Sequence, residues 1–204
     1  MTRLSVNINK IATLRNARGG SVPNVLEAAL NCEKFGAEGI TVHPRPDERH
    51  IRYQDVRDIR PRLNTEFNIE GNPFSEQKGK YPGFLQLIKS YQPDQCTLVP
   101  DASSQLTSDH GWDLLGDNSR LTSLIKTIKT YGSRVSLFMD PSEEGISKAK
   151  EVGADRIELY TGPYAEAVKH QKDIKDLIKQ YSKADKYAHN LGLGVNAGHD
   201  LNLS

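Results

Sequence analysis

Seven short apolar or β-branched runs recur along the chain, each followed by a connection too long for a hairpin. They are RLSVNI (3–8), GITVHPR (39–45), EFNIEG (66–71), QCTLVP (95–100), RVSLFMD (134–140), RIELYTG (156–162) and GLGVNAG (192–198). Strands joined by connections of this length pair in parallel and carry helices between them. Helical spacing fills several of the gaps. PNVLEAALNCEKFGAE opens at Pro23 and stops at Gly36. NSRLTSLIKTIKTYGS opens at the cap candidate Asn118 and ends at Gly132. DPSEEGISKAKEVGAD starts near Ser142 with acids in its first turn, where they favour the helix dipole, and closes at Gly153. KHQKDIKDLIKQYSKADKYAHNLG predicts one long amphipathic helix ending at Gly192.

A parallel α/β pattern fits either an open doubly wound sheet or a closed (β/α)8 TIM barrel. No GxGxxG turn follows the first strand and no GxxxxGK[ST] loop occurs anywhere. Polar and charged residues sit instead at the C-terminal ends of nearly every strand, where barrel enzymes build their sites. The junctions FGAEGITV and VGADRIEL also repeat one helix-to-strand turn. The expectation is a single (β/α)8 barrel domain over residues 1–204 with its last strand and helices absent, because an eighth strand is wanting and about 250 residues are typical of that fold.

Composition narrows the function classes. With 27 basic and 26 acidic side chains the formal net charge is +1, which leaves no basic footprint for nucleic acid or a membrane surface. No apolar run approaches the roughly 20 residues of a spanning helix. Cys32 and Cys96 lack metal-ligand spacing and read as buried free thiols, which suits a reducing, cytoplasmic setting.

Residues two apart on a strand share a face. His43 and Arg45 therefore point together at the end of strand two, with His50 five residues beyond. Strand one ends VNINK, placing Asn7 and Asn9 on one face and Lys10 just past it. Strand three ends at Glu70, strand six carries Glu158, and strand seven runs into His199. An arginine-rich loop with Arg15 and Arg18 follows strand one. Each residue alone has an ordinary explanation as a structural partner or a solvated charge. Together, at one rim, they suit proton transfer on an anionic substrate. Histidine titrates near neutrality, glutamate can be raised into that range, and arginine offers a fork matched to phosphate. No HxH pair or HExxH motif supports a metal.

VNINKIATLRNARGG, GAEGITVHPRPDERHI, FNIEGN, TLVPD, VSLFMD, IELYTGPYA and LGLGVNAGHDL, in this order, resemble the pyridoxine 5'-phosphate synthase family. The resemblance implies an eight-stranded barrel assembled as a homo-octamer. It implies condensation of two small phosphorylated substrates, 3-amino-2-oxopropyl phosphate and 1-deoxy-D-xylulose 5-phosphate, releasing inorganic phosphate and two waters. No cofactor or metal is implied, since positioned acids and bases can drive every step. By the same resemblance His43 and Glu70 are proton acceptors, His199 a proton donor, and Glu158 a stabiliser of transition-state charge. Asn7 and Arg18 hold the amino-ketone phosphate. Asn9, Lys10, Arg45, His50 and Thr107 hold the sugar phosphate, with Thr107 in a lid spanning SSQLTSDHGWDL. Many members carry Asp-His where this chain has Asn9-Lys10, and a glycine where it has Asp200, so Asp200 is expected to offer its backbone N–H. The competing readings are a phosphosugar isomerase or aldolase on the same barrel, and a non-catalytic truncated barrel. A Schiff-base aldolase needs a strand lysine, and no lysine falls within the expected strands.

Overall fold

The computed structural model describes residues 2–102 and 105–201. Residues 103 and 104 of the expected lid, and residues 202–204, lie outside the described residues. Two compact units emerge, one comprising Met1–Thr97 with Ile128–Ser133 and the other Leu98–Thr127 with Arg134–Ser204.

The first unit runs β1 (Ser5–Asn7), α1 (Asn9–Arg18), α2 (Val25–Lys34), β2 (Gly39–Val42), α3 (Tyr53–Ile59), a 3-10 turn at Arg60–Arg62, β3 (Glu66–Gly71), α4 (Phe84–Tyr91) and most of β4 (Gln95–Leu98). Its strands lie side by side in chain order. β1 and β2 pair in parallel with Asn7 opposite Thr41, and β2 pairs with β3 with Thr41 opposite Asn68. Alternation along the strands separates two faces. Ile40, Val42, Phe67 and Ile69 are fully buried with Val25, Ala29, Val56 and Ile59 of the helices. The opposite face is polar and internally bonded. Ser5 and Thr41 hydroxyls share a 2.8 Å hydrogen bond, the Asn68 amide donates to Thr41 Oγ1 at 3.3 Å, and Thr97 donates to Asn68 Oδ1 at 3.2 Å.

The second unit contains most of α5 (Ser119–Thr130), then β5 (Arg134–Met139), α6 (Glu143–Glu151), β6 (Arg156–Tyr160), α7 (Gly162–Lys169), α8 (Lys175–Asn190) and β7 (Gly194–Gly198). Its strands are parallel and in chain order, with Phe138 opposite Glu158 and Glu158 opposite Asn196. Val135, Leu137, Met139, Ile157 and Leu159 are buried with Ile146, Ala149, Ala184 and Ala188. The helix α6 starts where its sequence says, with Ser142 Oγ accepting the Gly145 N–H and Glu143 and Glu144 in the first turn.

The repeated junction is one turn used twice. Gly36 and Gly153 adopt φ of 99° and 98°. The next residue's N–H reaches back to the helix in both, Ala37 to Cys32 O at 3.0 Å and Ala154 to Ala149 O at 3.1 Å. This is the left-handed glycine closure that satisfies carbonyls at a helix end. Leu193 repeats it after Gly192, bonding to Ala188 O at 3.0 Å.

Several expectations are corrected. Strand one stops at Asn7, and the arginine-rich loop after it is helix α1. The segment has little amphipathic pattern, since only Ala12 and Arg15 of its ten residues are buried. Strand six ends at Tyr160, because Pro163 near the helix start favours α7. The single long helix predicted near the C-terminus begins only at Lys175, after a break in which Gln171 takes φ 52°. α3 and α4 add two helices that the sequence spacing did not announce. Among the described residues no helix is long and apolar enough to cross a membrane.

Candidate active site

In the first unit, Asn7 and Asn9 form a relay between three elements. Asn7 Oδ1 accepts the Asn9 N–H at 2.9 Å as α1 begins, and Asn9 Oδ1 accepts the His43 N–H at 2.9 Å just past β2. The Asn7 amide also donates to Glu70 Oε2 at 3.4 Å. Asn9 thus sits at the start of a helix, where its side chain fixes the backbone of His43. His43 Nδ1 lies 3.8 Å from Glu70 Oε2 at the ends of β2 and β3. That spacing is longer than a hydrogen bond. It still brings two titratable groups to adjacent strand ends.

His43 and Arg45 are buried, with 7% and 6% of their surface exposed. Burial holds the His43 pKa well below the ordinary value of 6.5, and the charges of Arg45 and Arg49, with His50 when it is protonated, push it further down. Burial likewise lowers His50 to about 4, assisted by Arg45 and Arg49 and opposed by Asp47. The two rings lie 5.8 Å apart between centroids. Both are neutral near pH 7, so each can present a lone pair as well as an N–H. Lys10 and Arg18 are exposed at opposite ends of α1, about 12 Å apart along its axis.

In the second unit, His199 follows β7 directly. Its Nε2 lies 3.2 Å from Thr107 Oγ1 and its Nδ1 3.0 Å from Asp200 Oδ2. The ring meets Tyr160 edge-on at 5.2 Å and tilts against Phe138 at 5.9 Å. Thr161 is buried, and its hydroxyl faces the Gly198 and His199 carbonyls at 2.6 and 2.7 Å. Tyr181 donates to Tyr160 O at 2.6 Å. Burial raises the Tyr160 pKa, and the charges of Asp200, Asp109 and Asp140 add to the effect. His199 and Asp200 adopt φ of 101° and 55°, a region that side-chain-bearing residues rarely occupy. Asp200 was expected to act through its N–H, yet its carboxylate also engages the His199 ring.

Glu158 stands opposite Phe138 and Asn196 on the polar face of β6. A Cβ at Gly198 would meet its Oε1 at 3.0 Å, so the glycine of NAG leaves room for this carboxylate. The Thr107 loop is pinned at its far end. Trp112 bonds to Phe138 O through its N–H at 2.9 Å and to Leu98 O through Nε1 at 2.8 Å.

Against known sequences, the family model described as "Pyridoxal phosphate biosynthesis protein PdxJ" matches residues 4–204. The chain belongs to this family. It is 57% identical over 203 residues to a protein from Christiangramia forsetii and 56% identical over 203 residues to one from Porphyromonas gingivalis, each named pyridoxine 5'-phosphate synthase. Those alignments cover 100% of this chain and 82% of either relative. A synthase of the same name from Xanthomonas campestris is 55% identical, with 98% of this chain and 79% of the relative covered. Among solved structures, an enolase-superfamily member from Listeria innocua matches with a TM-score of 0.54 at 12% identity. That likeness covers 97% of this chain and 43% of the other, and concerns the fold alone.

The structure thus joins Asn7, Asn9, His43 and Glu70 by direct contacts in one unit, with Arg45 and His50 close enough to act on the His43 charge. It joins Thr107, His199 and Asp200 in the other. Sequence spacing gave no warning of the packing around His199 by Phe138, Tyr160 and Thr161. Nor did it reveal Asp55, which meets Arg15 across 40 positions.

Proposed function

We propose that this chain, as a pyridoxine 5'-phosphate synthase, condenses 3-amino-2-oxopropyl phosphate with 1-deoxy-D-xylulose 5-phosphate by acid–base catalysis. Pyridoxine 5'-phosphate, inorganic phosphate and two waters are the products. The observation carrying this reading is the pairing of buried His43 with half-buried Glu70, 3.8 Å apart at neighbouring strand ends, in a chain of this family. A neutral His43 has a free lone pair to take a proton from the forming imine or ring carbon, and Glu70 serves as the second acceptor. His199, oriented through both ring nitrogens, acts as proton donor. Glu158 stabilises positive charge that develops during ring closure.

Asn7 and Arg18 bind the amino-ketone phosphate. Asn9, Lys10, Arg45, His50 and Thr107 bind the sugar phosphate, and Asp200 contributes its backbone N–H to the amino-ketone substrate. Arg45 suits a phosphate because its fixed fork matches two oxygens. The segment SSQLTSDHGWDL around Thr107 acts as a lid that keeps water from reactive intermediates. The fold of the working enzyme is a (β/α)8 barrel, assembled as a homo-octamer in the cytoplasm. None of the described strands contains a lysine, which counts against a Schiff-base aldolase.

The test is incubation with both phosphorylated substrates, followed by mass and ultraviolet absorbance. Formation of pyridoxine 5'-phosphate with release of inorganic phosphate is expected. A folded protein that consumes neither substrate would refute the proposal.

A further inference from the structure

Arg15 is an arginine that no substrate role uses. It lies on α1, 6% exposed, and its guanidinium is fully engaged within the first unit. Both Nη atoms pair with the Asp55 carboxylate at the start of α3, one of them at 2.9 Å. The same Nη2 donates to the His50 carbonyl at 3.1 Å and to Asn16 Oδ1 at 3.0 Å, which Nε also reaches at 3.1 Å. Asn16 extends the grip, its amide donating to Glu48 O at 3.0 Å and His50 O at 2.9 Å. Asp55 closes it from the other side by accepting the Arg52 N–H at 2.7 Å. Three side chains, Arg15, Asn16 and Asp55, therefore hold the backbone from Glu48 to Arg52.

The held turn fixes one imidazole. The Ile51 N–H donates to His50 Nδ1 at 2.9 Å. A backbone N–H can only donate, so Nδ1 must carry the lone pair and Nε2 the proton. Movement of the His50 carbonyl or of the 50–51 peptide would break that bond and free the ring to take either tautomer.

We propose that Arg15, together with Asn16 and Asp55, is a positioning residue that locks the 48–52 turn so that neutral His50 presents Nε2–H as a hydrogen-bond donor to the sugar phosphate. This rests on the sugar-phosphate role given to His50 above. Because Arg15 acts through the turn, its loss weakens one substrate and spares the chemistry.

The experiment compares the full-length wild type with Asn16→Ala and Arg15→Met. Three quantities are measured: KM for each substrate, kcat, and the nitrogen-15 NMR signature of the His50 ring at pH 7. Asn16→Ala leaves the Arg15–Asp55 pair intact, so it reports even where Arg15→Met does not fold. The wild-type ring is expected as the neutral Nε2–H tautomer. In Asn16→Ala the KM for 1-deoxy-D-xylulose 5-phosphate should rise about tenfold, the loss of bonds worth that factor in binding. The KM for the amino-ketone and kcat should stay within about twofold, while the His50 signals become those of mixed tautomers. Unchanged KM values with a single Nε2–H tautomer overturn the proposal. So does an equal rise in both KM values, which marks general loosening. A wild type that forms no product refutes the functional reading instead, and the ring tautomer in wild type against Asn16→Ala then decides the positioning role by itself.

Discussion

Neutral histidines, one buried and one half-buried, make the first unit sensitive to acid, and His50 allows the size to be worked out. Its pKa falls from 6.5 to about 4 on folding, chiefly through burial, with Arg45 and Arg49 adding repulsion. A depressed histidine pKa means that the unfolded chain binds more protons than the folded one between those values. Stability is then fully present above pH 6.5 and is lost as pH falls towards the folded pKa. Integrating between pH 7 and pH 5 gives a loss of about 2 kcal/mol from this one group. His43 shifts in the same direction and steepens the curve. The perturbation is His50→Gln, which keeps an acceptor for the Ile51 N–H but cannot titrate. Urea unfolding of both proteins at pH 7 and pH 5 is the assay. Native carboxylates weaken both proteins alike on acidification, so the difference isolates His50. Wild type should lose about 2 kcal/mol more than the variant over this interval. Equal losses, within the error of the extrapolation, would show that His50 is not held neutral by its surroundings.

Other outcomes follow from the same geometry. Glu70→Gln keeps shape and hydrogen-bonding capacity but removes the proton acceptor, so turnover should fall by roughly 10² or more with the melting temperature little changed; single-turnover product formation checks it. Arg45→Ala should mainly raise the KM for the sugar phosphate, and an unaltered KM would remove it from that site. Gly111→Ala would drive a Cβ into Asp140 N and place it 2.6 Å from the Met139 backbone. Overpacking of this kind costs about 2 kcal/mol, and Trp112 fluorescence in denaturant should register both the lost stability and the displaced loop.

What was legible in the sequence was what is local or periodic. The turns at Gly36 and Gly153 could be read because a left-handed glycine and its back-bonded neighbour lie within six residues of each other. His43 and Glu70 could be placed at strand ends because the strand period is two and apolar residues alternate through both strands. Helix α1 was not legible, since most of its surface is exposed and its chief buried polar anchor is an arginine. That arginine is satisfied by Asp55, far along the chain, and no spacing rule reports such a partner. The same limit explains Asn9. Its side chain does reach His43, but from a helix start and through a backbone N–H. Around His199 the aromatic packing comes from Phe138 and Tyr160 on two different strands, a proximity set by register alone.

Under the phosphate-binding role proposed for Arg45, its charge would couple the His43 pKa to substrate binding. Of the influences lowering its pKa, burial is the largest and the Arg45 charge comes next. A phosphate docked on Arg45 brings negative charge to the same spot and offsets that repulsion. Protonated His43 then becomes less unfavourable, its pKa rises, and the ring is a stronger base when the sugar phosphate is present than when the protein is empty. Inorganic phosphate can stand in for the substrate in a direct test. Following the His43 ring by NMR across pH, with and without saturating phosphate, should show the pKa moving upward when phosphate is bound, and Arg45→Ala should abolish the movement. A downward movement would mean that phosphate mainly shields the ring from water. The His43 pKa would then have to be set by some group other than Arg45.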